Sequence, residues 1–256
     1  MTFDTLSIGL FFLLLSFGFL AGFVDSIAGG GGLISLPVLM FTGLPPQMAL
    51  GTNKLQGSFG SFSAAYNYMR KGRTPFVTML PGIGFTFVGA LVGAWAIQQL
   101  DPFFLKHLIP ALLCIVLVYI LVSPRLGFVP RTAIMSAMPF FLLFGLVLGF
   151  YDGFFGPGTG SFWTAAFLVF QGLEMTKATG HTKVMNFTSN IVALGAFLIG
   201  GNVHFSMGLS MAIGQFLGAR LGSNLAIRNG ARFIRPVFLS VVFITLLRMV
   251  YLNYFR

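Results

Sequence analysis

The chain states one motif twice, and this duplication constrains the fold more than any other feature. Gly22-Phe23-Val24-Asp25 followed by Gly29-Gly30-Gly31-Gly32 returns as Gly149-Phe150-Tyr151-Asp152 followed by Gly156-Pro157-Gly158, with an offset of 127 at the aspartate. Ala49-Leu50-Gly51-Thr52-Asn53-Lys54 returns as Ala178-Thr179-Gly180-His181-Thr182-Lys183 at offset 129. Phe87-Val88-Gly89-Ala90 and Gly93 return as Phe216-Leu217-Gly218-Ala219 and Gly222, also at 129. Three blocks in the same order, separated by one small insertion, predict two structurally equivalent halves. A glycine-broken, charged motif present once per half of an apolar chain is the pattern of a secondary carrier built from repeats.

Composition decides the solvent. The chain is 56% hydrophobic and 8% charged, with a mean hydropathy of +0.91, where a soluble domain carries roughly 25% charged residues. Such a chain has too much apolar surface to hide from water, so it is expected in lipid. Lys and Arg outnumber Asp and Glu 15 to 5, but the cations cluster in short loops, which argues for topology and against nucleic acid. Cys114 is the only cysteine and excludes an internal disulfide. The start, with Asp4 and no early cation, lacks a signal-peptide n-region, so the first apolar run reads as a retained span.

Apolar runs cover residues 5–27, 53–69, 75–98, 104–122, 133–151, 183–199, 205–226 and 234–253, each near the ~20 residues of a transmembrane helix. Two shorter runs, 33–43 and 160–171, follow the Gly breaks and read as short broken helices. The expected fold is an all-α polytopic membrane protein of two repeats, each with four full spans and one short helix. That makes about 8 full spans and 10 crossings, with a first repeat at 1–122, a basic cytoplasmic linker at 123–132 and a second repeat at 133–256. Loops 70–75 (Arg70, Lys71, Arg73), 123–132 (Arg125, Arg131) and 227–235 (Arg228, Arg232, Arg235) share one side only if the short helices cross. The positive-inside rule therefore predicts five crossings per half, inverted halves and both termini outside an inner (plasma) membrane.

Lys54, Lys183, Arg220 and Arg248 fall within apolar spans. A charge at the bilayer centre costs about 2.5–3.5 kcal/mol on insertion scales and needs a partner, a cavity or an interface. Arg220 and Arg248 lie near span ends and can snorkel. Lys54 and Lys183 occupy equivalent positions after Gly-Thr-Asn and Gly-His-Thr triplets, which suggest a loosened helix start. Two readings stand together: structural pairs Lys54–Asp25 and Lys183–Asp152, or two cations facing a central cavity. Helices restarting after Gly29–Gly32, with Gly30 and Gly31, or after Gly156–Gly160, with Gly158, point free N–H groups and a positive dipole end at that cavity, favouring an anion. Thr52, Asn53, Gln56, Thr182 and Asn186 would complete the cage, with Ser58, Ser189 and Asn190 nearby. Asp25 and Asp152 would tune the lysines or carry a coupling proton. His181, unmatched in the first half, is a further candidate proton relay, since histidine titrates nearest neutral pH. The four-residue spacing of Gly89/Gly93 and Gly218/Gly222 fits close helix packing instead.

These residues carry a family resemblance over nearly the whole chain. The Gly-Phe-Val-Asp…Gly-Gly-Gly-Gly segment, Ala49–Lys54, and the degenerate second copy through Lys183, Asn186 and Asn190 resemble the TauE/SafE sulfite-exporter family, within the toluene-sulfonate uptake permease superfamily. The chain looks most like the bacterial branch described as probable membrane transporters. The resemblance implies transport, often outward, of sulfite or organosulfonates. Gly156-Pro157-Gly158-Thr159-Gly160 departs from the first Gly segment, so the half-sites need not be equivalent.

The expected function is thus secondary transport of a small anion by alternating access, with lipid and the anion as partners and homo-oligomerisation left open. A passive anion channel is the near alternative. An intramembrane hydrolase using Ser161 with His181 or His204 is the distant one, since it leaves the paired lysines unexplained. There is no metal-ligand spacing, dinucleotide fingerprint or Walker A segment, so no catalytic residues, metal, cofactor or ATPase subunit are expected.

Overall fold

The computed structural model describes residues 6–72, 74–101 and 132–230, with isolated positions 103 and 236. The expected spans at 104–122 and 234–253, and nearly all of the linker at 123–132, lie outside them.

Eight α-helices occur among the described residues: α1 (Ile8–Ala28), α2 (Gly32–Phe41), α3 (Pro46–Arg70), α4 (Leu80–Gln98), α5 (Ala137–Phe154), α6 (Thr159–Phe170), α7 (Met175–Ile199) and α8 (Phe205–Asn229). The short helices α2 and α6 fall where the sequence predicts them. Helices α1, α4 with its preceding turn, α5 and α7 are long and apolar enough to cross a membrane. Helices α3 and α8 are as long as α7, at 25 residues each, and α3 is far less apolar than either. Large apolar side chains stand outward on the long helices, among them Phe12, Leu91, Trp95, Leu142 and Val147. An exposed apolar belt of this extent suits lipid and not water.

One sequence expectation is corrected here. The triplets before Lys54 and Lys183 do not loosen a helix start. Pro46 opens α3 and Met175 opens α7, so both lysines lie two turns inside continuous helices. Pro46 at the first helical turn, where its missing N–H is not needed, explains the early start of α3.

Glycine sets the packing. Cβ atoms added at Gly18, Gly22, Gly214 and Gly218 would run into the backbone carbonyls of Met211, Gln215, Leu15 and Phe19, so α1 and α8 touch backbone to backbone. Gly89, Gly93, Gly149 and Gly153 do the same between α4 and α5, against Leu146, Phe150, Thr86 and Ala90. Dispersion and lipid release, not a hydrophobic effect, drive such seams in a bilayer. These are the dominant helix contacts among the described residues, and each seam joins the first half to the second. The packing role expected of Gly89, Gly93, Gly218 and Gly222 holds.

Contact registers give the helix directions. Residue numbers rise together along α1–α8, along α3–α8 (Thr52 with His204, Asn67 with Ser223), along α4–α5 and along α4–α7 (Gly82 with Met185, Gln98 with Gly200). They run oppositely between α3 and α7, where Gly51 meets Asn202 and Gly180 meets Tyr68. Helices α1, α3 and α8 therefore point one way and α4, α5 and α7 the other. Among the described residues the apolar core is split into a cluster around Leu14, Leu39, Ile97, Phe197 and Met211, another around Met79, Phe140, Trp163 and Phe167, and a small third around Ile27, Tyr68 and Ala226. The buried charges belong to none of them.

Candidate functional site

The two Gly breaks meet. Gly29, with φ of 78°, lies so close to Gly160 that a Cβ on either would strike the other's backbone. Gly156, at φ 100°, leaves no room for a side chain between itself and the Lys54 ammonium and Asp152. Left-handed backbone and contact at this range admit glycine alone. The crossing of the breaks carries the start of each short helix into the opposite half.

The charged residues follow that crossing. Lys54 Nζ lies 2.7 Å from Asp152 Oδ1 and also donates to the Asp152 main-chain carbonyl. Lys183 Nζ lies 3.0 Å from Asp25 Oδ2. The expected within-half pairs are therefore corrected: each lysine pairs with the aspartate of the other half. Both lysines are fully buried, and their pairing satisfies the requirement for a partner at membrane depth. The carboxylates differ. Asp152 also accepts a hydrogen bond from the Ser189 hydroxyl. Asp25 accepts the Gly31 N–H at 3.2 Å, at the N-terminus of α2, and its side chain keeps 16% exposure against 4% for Asp152.

A cavity of about 40 Å³, counted as space open to the centres of water molecules, lies between the breaks. One water needs about 10–15 Å³ on that measure. In this conformation the space suits a species of a few heavy atoms. Asp25, Lys54 and Asp152 line it, with Gly30, Gly158, Asn53, Gln56 and Asn186. Two lysines and two aspartates leave the cluster formally neutral, so any anion arriving there competes with carboxylates already in place.

Each half repeats one hydrogen-bonded unit. Ser35 Oγ donates to the Gly31 carbonyl at 3.1 Å and contacts Asn53 Oδ1 at 2.6 Å. Thr164 Oγ1 donates to the Gly160 carbonyl at 2.8 Å and lies 3.0 Å from Thr182 Oγ1. All three positions repeat at offset 129, so the duplication reaches individual atoms. The first half extends the unit: Gln56 Nε2 donates to Asn53 Oδ1 at 2.7 Å and to Ser35 Oγ at 3.1 Å. In the second half the position equivalent to Gln56 is Met185.

Five expected site residues do not line the cavity, among them Lys183, which is joined to it through its pair with Asp25. Thr52 accepts the His204 N–H at 2.9 Å and anchors the start of α8. Thr182 is held by Thr164. Gly31 packs on Ala21 and Asp25. His181 Nδ1 bonds its own helix at the Lys177 carbonyl, 2.8 Å away, and its ring packs on Phe167. A polar face covering all of α3 and α7 looks uniform in sequence, but only one side of each helix meets the breaks. Ser161, the nucleophile of the alternative dyad, donates its hydroxyl to the Ala28 carbonyl at 3.3 Å.

Gln215 lines the cavity and was not singled out from the sequence. It reaches in across Gly60, where any Cβ would displace it. A lone amide inside the Gly214-to-Gly218 packing block was the available signal.

Residues 14–249 match a family model described as "Sulfite exporter TauE/SafE". "Probable membrane transporter protein YfcA" of Escherichia coli (strain K12) is 43% identical over 232 residues, 91% of this chain and 86% of that protein. A "Probable membrane transporter protein" of Haemophilus influenzae is 42% identical over 246 residues, 96% of each chain. "Sulfite exporter TauE/SafE family protein 3" of Arabidopsis thaliana is 30% identical over 95 residues, 37% of this chain and 20% of that protein. No solved structure matches the chain significantly. With a family model covering most of its length and relatives this similar end to end, the chain belongs to the TauE/SafE sulfite exporter family of membrane transporters.

Proposed function

We propose that this protein is a secondary carrier of a small anion, sulfite or an organosulfonate, moved outward by alternating access between two inverted repeats. The observation that carries the reading is the crossed pair of buried ion pairs around one small cavity, Lys54–Asp152 and Lys183–Asp25. Matched helices α1 and α5, α3 and α7, and α4 and α8 point in opposite directions, which supports inversion. The family's and the plant relative's names supply the substrate class.

The charge count shapes the mechanism. An anion approaching Lys54 or Lys183 must take the place of a carboxylate. Protonating Asp25 or Asp152 removes that competitor and leaves the cluster positive, so proton and anion favour each other's binding. Asp25, the more exposed of the two, is the nearer to solvent. Opening the pairs also removes the charged contacts between the halves, linking occupancy to the motion of a carrier.

Radiolabelled sulfite flux into proteoliposomes tests this, with sulfate, thiosulfate, sulfonates and carboxylates as competitors and with and without a pH gradient. Saturable flux that shows counterflow, responds to the gradient and yields to sulfur oxyanions is expected. Flux without saturation or counterflow would make the protein a channel. Absence of flux for every sulfur anion, from folded protein, would overturn the substrate assignment.

A further inference from the structure

The repeats are matched, but they do not share the cavity equally. Asp25 and its mate Asp152 line it, as do Gly57 and its mate Asn186, so it begins where the two halves meet. From there it extends to one side. Lys54, Gln56, Asn190 and Gln215 line it, whereas their mates at offset 129, Lys183, Met185, Ser61 and Thr86, do not.

The matched space on the other side is filled. Thr86 Oγ1 of α4 lies 3.5 Å from Met185 Sδ of α7. A Cβ added at Gly82 would stand 2.5 Å from Phe141 Cδ1 and 3.0 Å from Met185 Sδ, so Phe141 of α5 packs into the same place. Thr86 and Met185 are fully buried and Phe141 nearly so. The open side has smaller or displaced groups at the matched positions. Leu14 is the mate of Phe141 at offset 127, and Met211, the mate of Gly82, lies against Gly18 instead. Lys183 Nζ stands 3.5 Å from where a Cβ on Gly160, a cavity residue, would be. It is therefore just outside the open space, fully buried and paired with Asp25.

In a carrier of inverted repeats the halves exchange conformations, so a space open beside one repeat closes as its mate opens. Resting on the carrier reading above, we propose that the protein has a second anion site, shut in this conformation, formed by Lys183, Met185, Thr86 and Ser61. Its ligand is the same small oxyanion. Lys54 holds the anion in one conformation and Lys183 in the other, so one lysine serves each face of the membrane. The two sites are not equivalent. Met185, Thr86 and Ser61 stand where the open site has three amides, Gln56, Gln215 and Asn190, so the second site is the less polar and holds an anion more loosely.

Met185 reports on this without any substitution. A thioether reached by water and oxidant becomes the sulfoxide, and a buried one is spared. Hydroxyl-radical footprinting of the unmodified full chain in proteoliposomes, read by mass spectrometry, should show Met185 oxidation rising several-fold during methanesulfonate counterflow. Met211, equally buried, should not change. Met185 unchanged during flux would overturn the second site and leave the carrier reading standing. An equal rise at Met211 would overturn it too, as general loosening of the fold. Met185→Gln gives an independent measure with radiolabelled sulfite. Half-saturation should shift about tenfold at one face of the membrane, the ratio expected of one hydrogen bond to a charged ligand, and stay unchanged at the other. Equal shifts at both faces, or none at either, would mean that a single site serves both conformations. No flux of methanesulfonate or sulfite, from folded unmodified protein, would remove the carrier reading and the second site together.

Discussion

Lys54 and Asp152 are packed so that neither tolerates loss of the other. Lys54→Met leaves a carboxylate 3% exposed with Ser189 as its remaining side-chain donor. Breaking a buried pair from one side typically costs about 3–5 kcal/mol, whereas removing both charges is often neutral. Thermal unfolding in detergent should thus show a strongly destabilised Lys54→Met and a Lys54→Met/Asp152→Asn double variant recovered toward the parent, with flux absent from both. A double variant as unstable as the single would mean that the ion pair is not the interaction at stake. The importance of these residues was legible in sequence, because only a charge with a function or a partner persists inside a span. Their pairing was not. Linear order puts Asp25 nearest to Lys54, and only the contact of Gly29 with Gly160 sends each lysine to the other half. Gln215 was hidden for a related reason: its importance comes from the gap at Gly60, a residue 155 positions away in sequence.

At the scale of the helix, glycine has two unlike roles on α4. Gly89 touches the backbone of α5, with Phe150 N 2.8 Å and Gly145 O 3.1 Å from where a Cβ would stand. Gly84, one turn and a half earlier, has nothing within 4 Å. Gly84→Ala should raise the melting temperature slightly, because alanine favours a helix over glycine by about 0.5–1 kcal/mol. Gly89→Ala should lower it, since α4 and α5 must separate to admit the methyl group. The pair of melting curves checks this, and a neutral Gly89→Ala would show the seam to be compliant. Four-residue glycine spacing made these seams readable beforehand. The starts of α3 and α7 were not, because Gly51 and Gly180 look like breaks in sequence. In the fold they are the places where neighbours come closest: the Asn202 carbonyl against Gly51, Thr74 and Tyr68 against Gly180.

For the molecule as a whole, inversion makes a prediction about sides. The loop after α3 begins at Lys71, and the loop after α7 includes Gly201. Asn202 Nδ2 donates to Gln98 Oε1 at 3.1 Å, joining the loop after α7 to the far end of α4, while the loop after α3 leads into the near end. The two loops therefore lie at opposite ends of α4, a helix long enough to cross the bilayer. By the positive-inside rule, basic residues predict a cytoplasmic Lys71 side. Single cysteines test this in a Cys114→Ser background. Lys71 is exposed, and a side chain at Gly201 would meet nothing within 4 Å, although its φ of 70° costs a substituted residue about 1–2 kcal/mol. In intact cells an impermeant maleimide should label Gly201→Cys and spare Lys71→Cys until the membrane is opened. The reverse pattern would keep the inverted repeats and turn the molecule over. Labelling of both from one side would mean that matched helices cross in the same sense. The crossed ion pairs would then join two parallel halves, and alternating access would lose its structural basis.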